Sequence, residues 1–103
     1  MSQSRDVVFV SAVRTAIGTN GGSLKDVPPT KLGADVVREA FKRAGIDSRE
    51  VGSIVMGHII NTEPRDMYMA RVAGIDGGLP IETPALTVNR LCGSGLQAVV
   101  SAA

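Results

Sequence analysis

Several residue types that mark common classes of protein are scarce in this sequence. It has one cysteine, one tyrosine, two phenylalanines and no tryptophan among 103 residues. A single cysteine excludes an internal disulfide framework and is typical of a reducing compartment. Eleven basic residues against ten acidic residues, with so few aromatic side chains, provide neither a basic stripe nor a stacking surface. The composition therefore argues against nucleic-acid binding.

Long apolar runs and metal-ligand clusters are missing from the sequence as well. No run approaches the ~18 residues of a membrane-spanning helix, and the opening residues MSQSRD carry no signal-peptide pattern. We therefore expect a cytoplasmic protein without a membrane segment. One histidine and one cysteine give no metal-ligand spacing, so we predict no metal site.

The apolar pattern predicts strands and helices in alternation, within one domain at most. The predicted strands are residues 7–10, 53–57 and 85–88. The predicted helices are residues 30–44, 66–73 and 93–103, with a short helical turn at 47–50. This βαβαβα order indicates an α/β layered fold with helices packed on a mixed sheet.

The first predicted helix has clear signals along its length. Prolines at 28 and 29 suit a first helical turn, and Gly45 followed by Ile46 predicts a Schellman ending. Its apolar face consists of Leu32, Val36, Val37, Ala40, Phe41 and Ala44. The last helix, by contrast, reaches Ala103 without a stop signal. We therefore expect residues 1–103 to be the front part of an incomplete domain in a longer protein.

Cys92 is the strongest candidate for chemistry. It follows the third predicted strand and precedes a helix, so its thiol lies near the positive end of that helix. A thiol held partly as thiolate is a nucleophile, and backbone N–H groups at such a turn are candidate oxyanion donors. Gly93 and Gly95 leave room for a close approach of backbone and substrate. The alternative reading is a buried cysteine that acts as a small apolar residue.

Three segments resemble the thiolase family. Residues 88–98, VNRLCGSGLQA, resemble its acyl-intermediate signature, and residues 10–18 with 21–24 resemble its opening. Residues 61–68, NTEPRDMY, are similar to bacterial β-ketothiolases and acetyl-CoA acetyltransferases. The similarity spans all 103 residues and about the first quarter of a full-length thiolase.

The resemblance implies an acyl-CoA acyltransferase. Such enzymes condense two acetyl-CoA molecules to acetoacetyl-CoA, or cleave a 3-oxoacyl-CoA with coenzyme A, in fatty acid metabolism. Cys92 would carry the acyl group, and its own N–H would help to hold the thioester oxygen. Coenzyme A would be a substrate, and no further cofactor is expected. Full-length relatives are dimers or tetramers, so a homo-oligomer such as a homotetramer is implied.

Other parts of the family's catalytic machinery do not occur in these 103 residues. The family uses a histidine in a Gly-His-Pro motif, a second glycine-flanked cysteine and an asparagine in Asn-Glu-Ala-Phe, and none of these motifs is present. A second hypothesis is therefore a non-catalytic piece that needs the rest of an enzyme or a partner subunit. A third is a relative of the ketoacyl synthases, which share a cysteine at this kind of turn.

Several other residues have simpler readings than catalysis. His58 follows a glycine but precedes no proline, so we expect a structural or loop-lining histidine rather than the partner of Cys92. Ser94 lacks the flanking glycines of a nucleophile elbow. Arg65, Asp66 and Arg71 suggest a set of surface ion pairs or subunit contacts.

Overall fold

Two parallel strands and three helices form the part of the chain that the computed structural model describes, residues 4–103. The elements are α1 (Pro29–Ala44), β1 (Ile54–Gly57), α2 (Met69–Asp76), β2 (Ala85–Val88) and α3 (Ser94–Ala102). Single 3-10 turns cover Ser48–Glu50 and Pro64–Tyr68. The predicted α/β fold with helices packed on a sheet is confirmed.

The two strands are joined by a helical crossover. β1 pairs with β2 in parallel, with Ile54 opposite Ala85 and Gly57 opposite Val88. α2 lies between them in sequence and packs on both. Because parallel strands point the same way, the segments that follow Gly57 and Val88 leave the same edge of the sheet. This carboxyl edge positions the candidate site.

Small residues set the distance between α1 and α2. A Cβ added to Gly33 would lie 2.9 Å from the Cβ of Ala73, so the two helix backbones approach closely. Ala34, Ala70 and Ala73 are buried in this contact region. The predicted apolar face of α1 is only half-buried. The tightest packing therefore uses the residues with the smallest side chains.

The end of α1 forms as its sequence predicts. Gly45 adopts a left-handed φ of 69°, which glycine tolerates without a Cβ clash. Its N–H donates to Lys42 O at 3.1 Å, and the Ile46 N–H donates to Phe41 O at 3.3 Å. These are the two hydrogen bonds of a Schellman motif.

A capping box formed by Asp47 and Glu50 follows the end of α1. The Asp47 side chain accepts from the Arg49 N–H at 2.9 Å, and the Glu50 side chain accepts from the Asp47 N–H at 3.1 Å. The Arg49 guanidinium also donates to Asp47 at 2.7 Å. These hydrogen bonds from Arg49 lower the pKa of the Asp47 carboxyl to about 2.

The predicted strand at residues 7–10 does not form. The observed element order therefore begins with α1, and the described sheet has two parallel strands rather than a mixed set. Residues 7–10 are not paired into a strand, and they are 66–82% exposed. The side chains of residues 7–9 line one side of an open groove whose other side is β1 and α3. A strand needs a neighbouring backbone to pair with, and among residues 4–103 the only paired strands are β1 and β2.

The predicted end of α2 is also wrong. Gly74 lies inside the helix, which continues to Asp76. A Cβ on Gly74 would lie 3.4 Å from both Ile54 and Leu79 side chains, so this glycine lets α2 pack closely on β1. The helix ends before Gly77, and Gly78 supplies the positive φ of 105°.

Candidate active site

Cys92 lies in the turn that joins β2 to α3. Five residues separate Val88 from Ser94, and Cys92 is exposed. The alternative reading of Cys92 as a buried packing residue is therefore wrong. An exposed thiol at the start of a nine-residue helix is accessible to an electrophile and lies near the helix's positive end.

The residue before Cys92 is held in a strained conformation. Leu91 has a φ of 48°, the only positive φ of a non-glycine residue among those described. This left-handed region costs a side-chain-bearing residue about 1 kcal/mol or more. The Asn89 side chain supports the turn by accepting a hydrogen bond from the Leu91 N–H at 3.0 Å. Strain of this kind persists only where the surroundings fix it, and it is common at functional sites.

The side chain of Ser94 fixes this turn through two hydrogen bonds. Its Oγ accepts from the Arg90 N–H at 2.7 Å and donates to Leu91 O at 2.6 Å. The Ser94 N–H also donates to Leu91 O, at 3.0 Å. Ser94 is 1% exposed, so its hydroxyl is a structural group and not a second nucleophile. The sequence excluded it as a nucleophile but carried no sign of this bracing role.

Gly57 lets the sheet touch the start of α3. A Cβ at this position would lie 2.7 Å from the Ser94 carbonyl carbon and 2.8 Å from its oxygen. The end of β1 therefore abuts the first residue of α3. No sequence signal pointed to this glycine, because its partner is 37 positions further along the chain.

A free backbone N–H and a guanidinium lie at the Cys92 turn. The N–H of Cys92 makes no hydrogen bond with the residues described, so it is free to donate to an anionic oxygen. A Cβ on Gly93 would collide with the Arg90 guanidinium, which places that cation against the turn. A Cβ on Gly95 would meet nothing within 4 Å, so the space above the helix start is open. Together these features suit an acyl group carried on sulfur.

His58 lies at the same edge of the sheet as Cys92. Its buried ring nitrogen, Nε2, forms no hydrogen bond with Cys92. Its backbone N–H donates to Val88 O at 3.0 Å, directly after the paired ends of the strands. Its Nε2 is buried and has no hydrogen-bond partner among the described residues. This placement fits the predicted loop-lining histidine.

Asp66 is an internal residue, which corrects the predicted set of surface ion pairs. It is 0% exposed, and its Oδ2 accepts from Thr62 N and Oγ1, both at 2.6 Å, and from Glu63 N at 3.2 Å. The Thr62 hydroxyl, the two backbone donors and the charge of His58 lower the pKa of Asp66, against the effect of burial. In the sequence, an aspartate that accepts hydrogen bonds within its own loop has the same local pattern as an aspartate on the surface. The internal position of Asp66 could therefore not be predicted.

The two arginines of that predicted set have separate partners. Arg65 pairs with Asp76 at 3.0 Å, and both side chains are about half exposed. Arg71 donates to the backbone oxygen of Thr83 at 3.1 Å. Neither arginine forms an ion pair with Asp66, so the predicted ion-pair set does not form.

Metal clusters and membrane-spanning helices are both absent from residues 4–103. No group of three potential metal ligands occurs in that range. Nor does any helix in this part of the chain have the length and apolar character needed to cross a membrane.

The fold and the turn define an α/β domain with an exposed cysteine at a strand-to-helix junction. Residues 7–103 match the family described as thiolase, N-terminal domain. The chain therefore belongs to the thiolase family, and the resemblance stated from the sequence is confirmed. The match over nearly the whole chain favours thiolase over the ketoacyl-synthase alternative.

Curated relatives match the chain along nearly its whole length. A β-ketothiolase of Cupriavidus necator, BktB, is 67% identical over 100 residues, covering 97% of this chain and 25% of that protein. An acetyl-CoA acetyltransferase of the same organism is 48% identical over 98 residues. The mitochondrial 3-ketoacyl-CoA thiolase of Bos taurus is 42% identical over 101 residues. The chain spans about a quarter of the length of these relatives.

Solved structures confirm the fold. Human mitochondrial 3-ketoacyl-CoA thiolase in complex with CoA superposes with a TM-score of 0.85 at 41% identity, covering 89% of this chain and 23% of that one. The acetyl-CoA acetyltransferase of Bacillus anthracis gives a TM-score of 0.86 at 41% identity, covering 92% of this chain and 24% of that one.

Proposed function

We propose that this chain supplies the acyl-carrying cysteine of a thiolase, an acyltransferase that acts on acyl-CoA thioesters. The observation that carries the proposal is the exposed thiol of Cys92 on a braced, strained turn at the start of α3. Family membership supports it, since named relatives are acetyl-CoA acetyltransferases and 3-ketoacyl-CoA thiolases.

In the proposed first step, the Cys92 thiolate attacks the carbonyl carbon of an acyl-CoA. The carbon–sulfur bond to coenzyme A breaks, coenzyme A leaves as a thiolate that takes up a proton, and Cys92 becomes a thioester. The unpartnered N–H of Cys92 donates to the carbonyl oxygen as negative charge develops there. The covalent intermediate divides one difficult acyl transfer into two easier steps.

In the proposed second step, the acyl group leaves Cys92 for an acceptor. In the synthetic direction a base takes an α-proton from a second acetyl-CoA, the resulting carbanion-like carbon attacks the acyl carbon, the carbon–sulfur bond to Cys92 breaks, and acetoacetyl-CoA forms. The degradative direction is the reverse: Cys92 attacks the 3-oxo carbon of a 3-oxoacyl-CoA, the bond between C2 and C3 breaks, and the acetyl-CoA carbanion that leaves takes up a proton. The thiolate of free coenzyme A then accepts the acyl group from Cys92. Cys92 regains its thiolate in both directions. The family's histidine base and second cysteine, which the resemblance implies, are outside residues 1–103.

The exposed apolar surface supports a larger assembly. Leu86, Leu96 and Val100 are 52–71% exposed, and exposed apolar patches mark surfaces that other protein covers. From the resemblance to the thiolase family, we propose in addition that the active form is a homo-oligomer, a dimer or a tetramer. The cytoplasmic location and a role in fatty acid metabolism remain predictions.

A second candidate function is that of a non-catalytic piece. The base expected from the family is absent from these 103 residues, and removal of one member of a catalytic group costs several orders of magnitude in rate. We therefore expect no measurable thiolase turnover from the isolated chain. Sustained acetoacetyl-CoA cleavage by the purified 103-residue protein would contradict this expectation.

A hybrid enzyme tests the main proposal. In this hybrid the chain replaces the matching 100 residues of the Cupriavidus necator β-ketothiolase. We expect the hybrid to cleave acetoacetyl-CoA in the presence of coenzyme A, and the Cys92→Ala hybrid to lose at least about a thousandfold of that rate. The matched control is Ser101→Ala on the exposed side of α3. A Cys92→Ala hybrid that kept its rate would overturn the proposal.

A further inference from the structure

Two buried polar atoms at the edge of the sheet lack partners among the described residues. They are Nε2 of His58 and Oδ1 of Asp66. One is a potential donor, the other is an acceptor, and the Asp66 side chain is completely buried. Buried polar atoms are rarely left without a hydrogen bond, so this complementary pair needs an explanation.

The environment of Asp66 leaves one oxygen for another donor. Oδ2 already accepts three hydrogen bonds, from the backbone and hydroxyl of Thr62 and from the backbone of Glu63. Oδ1 accepts none. The charge of His58 acts on Asp66, in addition to the larger effect of the Thr62 hydrogen bond, in lowering the Asp66 pKa. The imidazole is therefore close enough to the carboxylate for its charge to act on it, although the two groups share no hydrogen bond.

The backbone of His58 is tied to the elements that present Cys92. Its N–H bonds to Val88 O at 3.0 Å, four residues before the cysteine. The preceding residue, Gly57, abuts Ser94, two residues after the cysteine. A shift at position 58 is thus transmitted to both sides of the Cys92 turn.

We propose that one buried water bridges these two atoms, accepting a hydrogen bond from His58 Nε2–H and donating one to Asp66 Oδ1. This His58–Asp66 couple fixes the loop of residues 58–66 against the carboxyl edge of the sheet and so holds the Cys92 turn in place. Its two members are positioning residues that act through Gly57 and Val88. The inference rests on the proposed function for its catalytic consequence, whereas the water bridge itself does not.

A crystal structure of the hybrid enzyme tests the water bridge. We expect one ordered water within about 3.2 Å of both Nε2 and Oδ1. An Nε2 bonded to a different group, or an imidazole turned into solvent, would overturn the proposal regardless of activity.

Kinetics of hybrid variants test the positioning role. We expect His58→Ala and Asp66→Asn to lower kcat by about tenfold or more, because small displacements of a reacting group have large effects on rate. KM should change much less. His58→Gln should restore kcat to within about threefold of the parent, since its amide N–H can donate to the same water. Met67→Ala, a change at an exposed position of the same loop, is the matched control.

The outcomes separate the two proposals. An inactive parent hybrid would count against the proposed function and leave the crystallographic test of the couple in force. An active parent hybrid in which His58→Ala keeps the full kcat would overturn the positioning role alone. If His58→Ala lowers the melting temperature too far to assay, the kcat of His58→Gln relative to the similarly sized but donor-free His58→Met decides. Equal values for these two variants would overturn the positioning role.

Discussion

At the scale of single residues, the Cys92 turn depends on contacts that hold a strained backbone. Leu91 has a positive φ, and its carbonyl is bonded to the hydroxyl of a fully buried serine. Ser94 joins both ends of the turn, since it also accepts from the Arg90 N–H. The position of the thiol is therefore set by neighbours rather than by the cysteine itself.

Ser94→Ala tests this bracing. The change leaves the Arg90 N–H without its partner and removes one bond to Leu91 O, and such buried losses cost about 1–3 kcal/mol. In the hybrid enzyme we expect the rate of acyl transfer to Cys92 to fall at least about tenfold, measured by rapid quench with labelled acetyl-CoA. Ser101→Ala removes an exposed hydroxyl from the same helix and should leave the rate unchanged. Equal rates for the two variants would contradict the bracing role.

Cys92 could be identified from the sequence, but the residues that support it could not. The cysteine belongs to a local motif, so neighbouring letters were sufficient to find it. Gly57 and Asp66 act through contacts that depend on the folded chain. A glycine and an acid in a loop have many possible roles, and nothing in the sequence indicates which side chains will surround them. The asparagine of the turn, Asn89, was the one available signal, since this residue type favours tight turns.

At the scale of elements, the contact between α1 and α2 requires the smallest residues. A side chain at Gly33 would meet Ala73 at 2.9 Å, whereas one at Gly95 in α3 would meet nothing within 4 Å. Both glycines lie within helices. Alanine substitutions at these two positions therefore distinguish the effect of helix propensity on stability from the effect of packing.

Alanine at these two positions should have opposite effects on stability. Gly33→Ala should destabilise by roughly 1–3 kcal/mol because the helices must move apart. Gly95→Ala should stabilise by up to about 1 kcal/mol, because alanine favours a helix over glycine. Melting temperatures of the hybrid enzyme and its variants measure both. A Gly33→Ala variant as stable as the parent would show that the helix contact is not tight.

The capping box after α1 predicts a dependence on pH. The hydrogen bonds from Arg49 lower the pKa of Asp47 to about 2 in the folded chain, below the ordinary value of about 3.9 in an unfolded chain. Its stabilising contribution is therefore present above pH ~4 and is lost as the pH falls toward 2. The melting-temperature difference between parent and Asp47→Asn should shrink over that range, and a constant difference would contradict this assignment. Because Asp47 is exposed, added salt should also reduce the difference.

The helix ending and the turn that formed as predicted are fixed by residues close together in the sequence, whereas residues 7–10 and the end of α2, which depend on distant partners, did not follow the prediction. The Schellman ending of α1 and the short helical turn at 47–50 use residues within five positions of each other, and both formed as predicted. Residues 7–10 have the composition of a buried strand, yet a strand exists only where a second backbone pairs with it. Whether a second backbone pairs with residues 7–10 depends on the folded arrangement of the chain, which the composition of these residues does not describe. Gly74 follows the predicted helix 66–73, yet it lies inside α2, where it allows close packing on β1.

At the scale of the whole molecule, the chain presents an exposed thiol on a scaffold with much apolar surface exposed. Residues 7–9 and residues of α3 line one open groove. The relatives that share this fold are about four times longer. In the proposed function, the chain positions an acyl-carrying thiol, and other segments of a thiolase supply the groups that activate it.

The most direct measurement is the mass of the Cys92 peptide after reaction. The hybrid enzyme is mixed with acetyl-CoA in the absence of an acceptor, quenched in acid, digested and analysed by mass spectrometry. We predict one acetyl group on Cys92, which disappears when coenzyme A is added before the quench. An unmodified Cys92 in an enzyme that turns over, or an acetyl group on a different residue, would contradict the acyl-carrying role of this thiol.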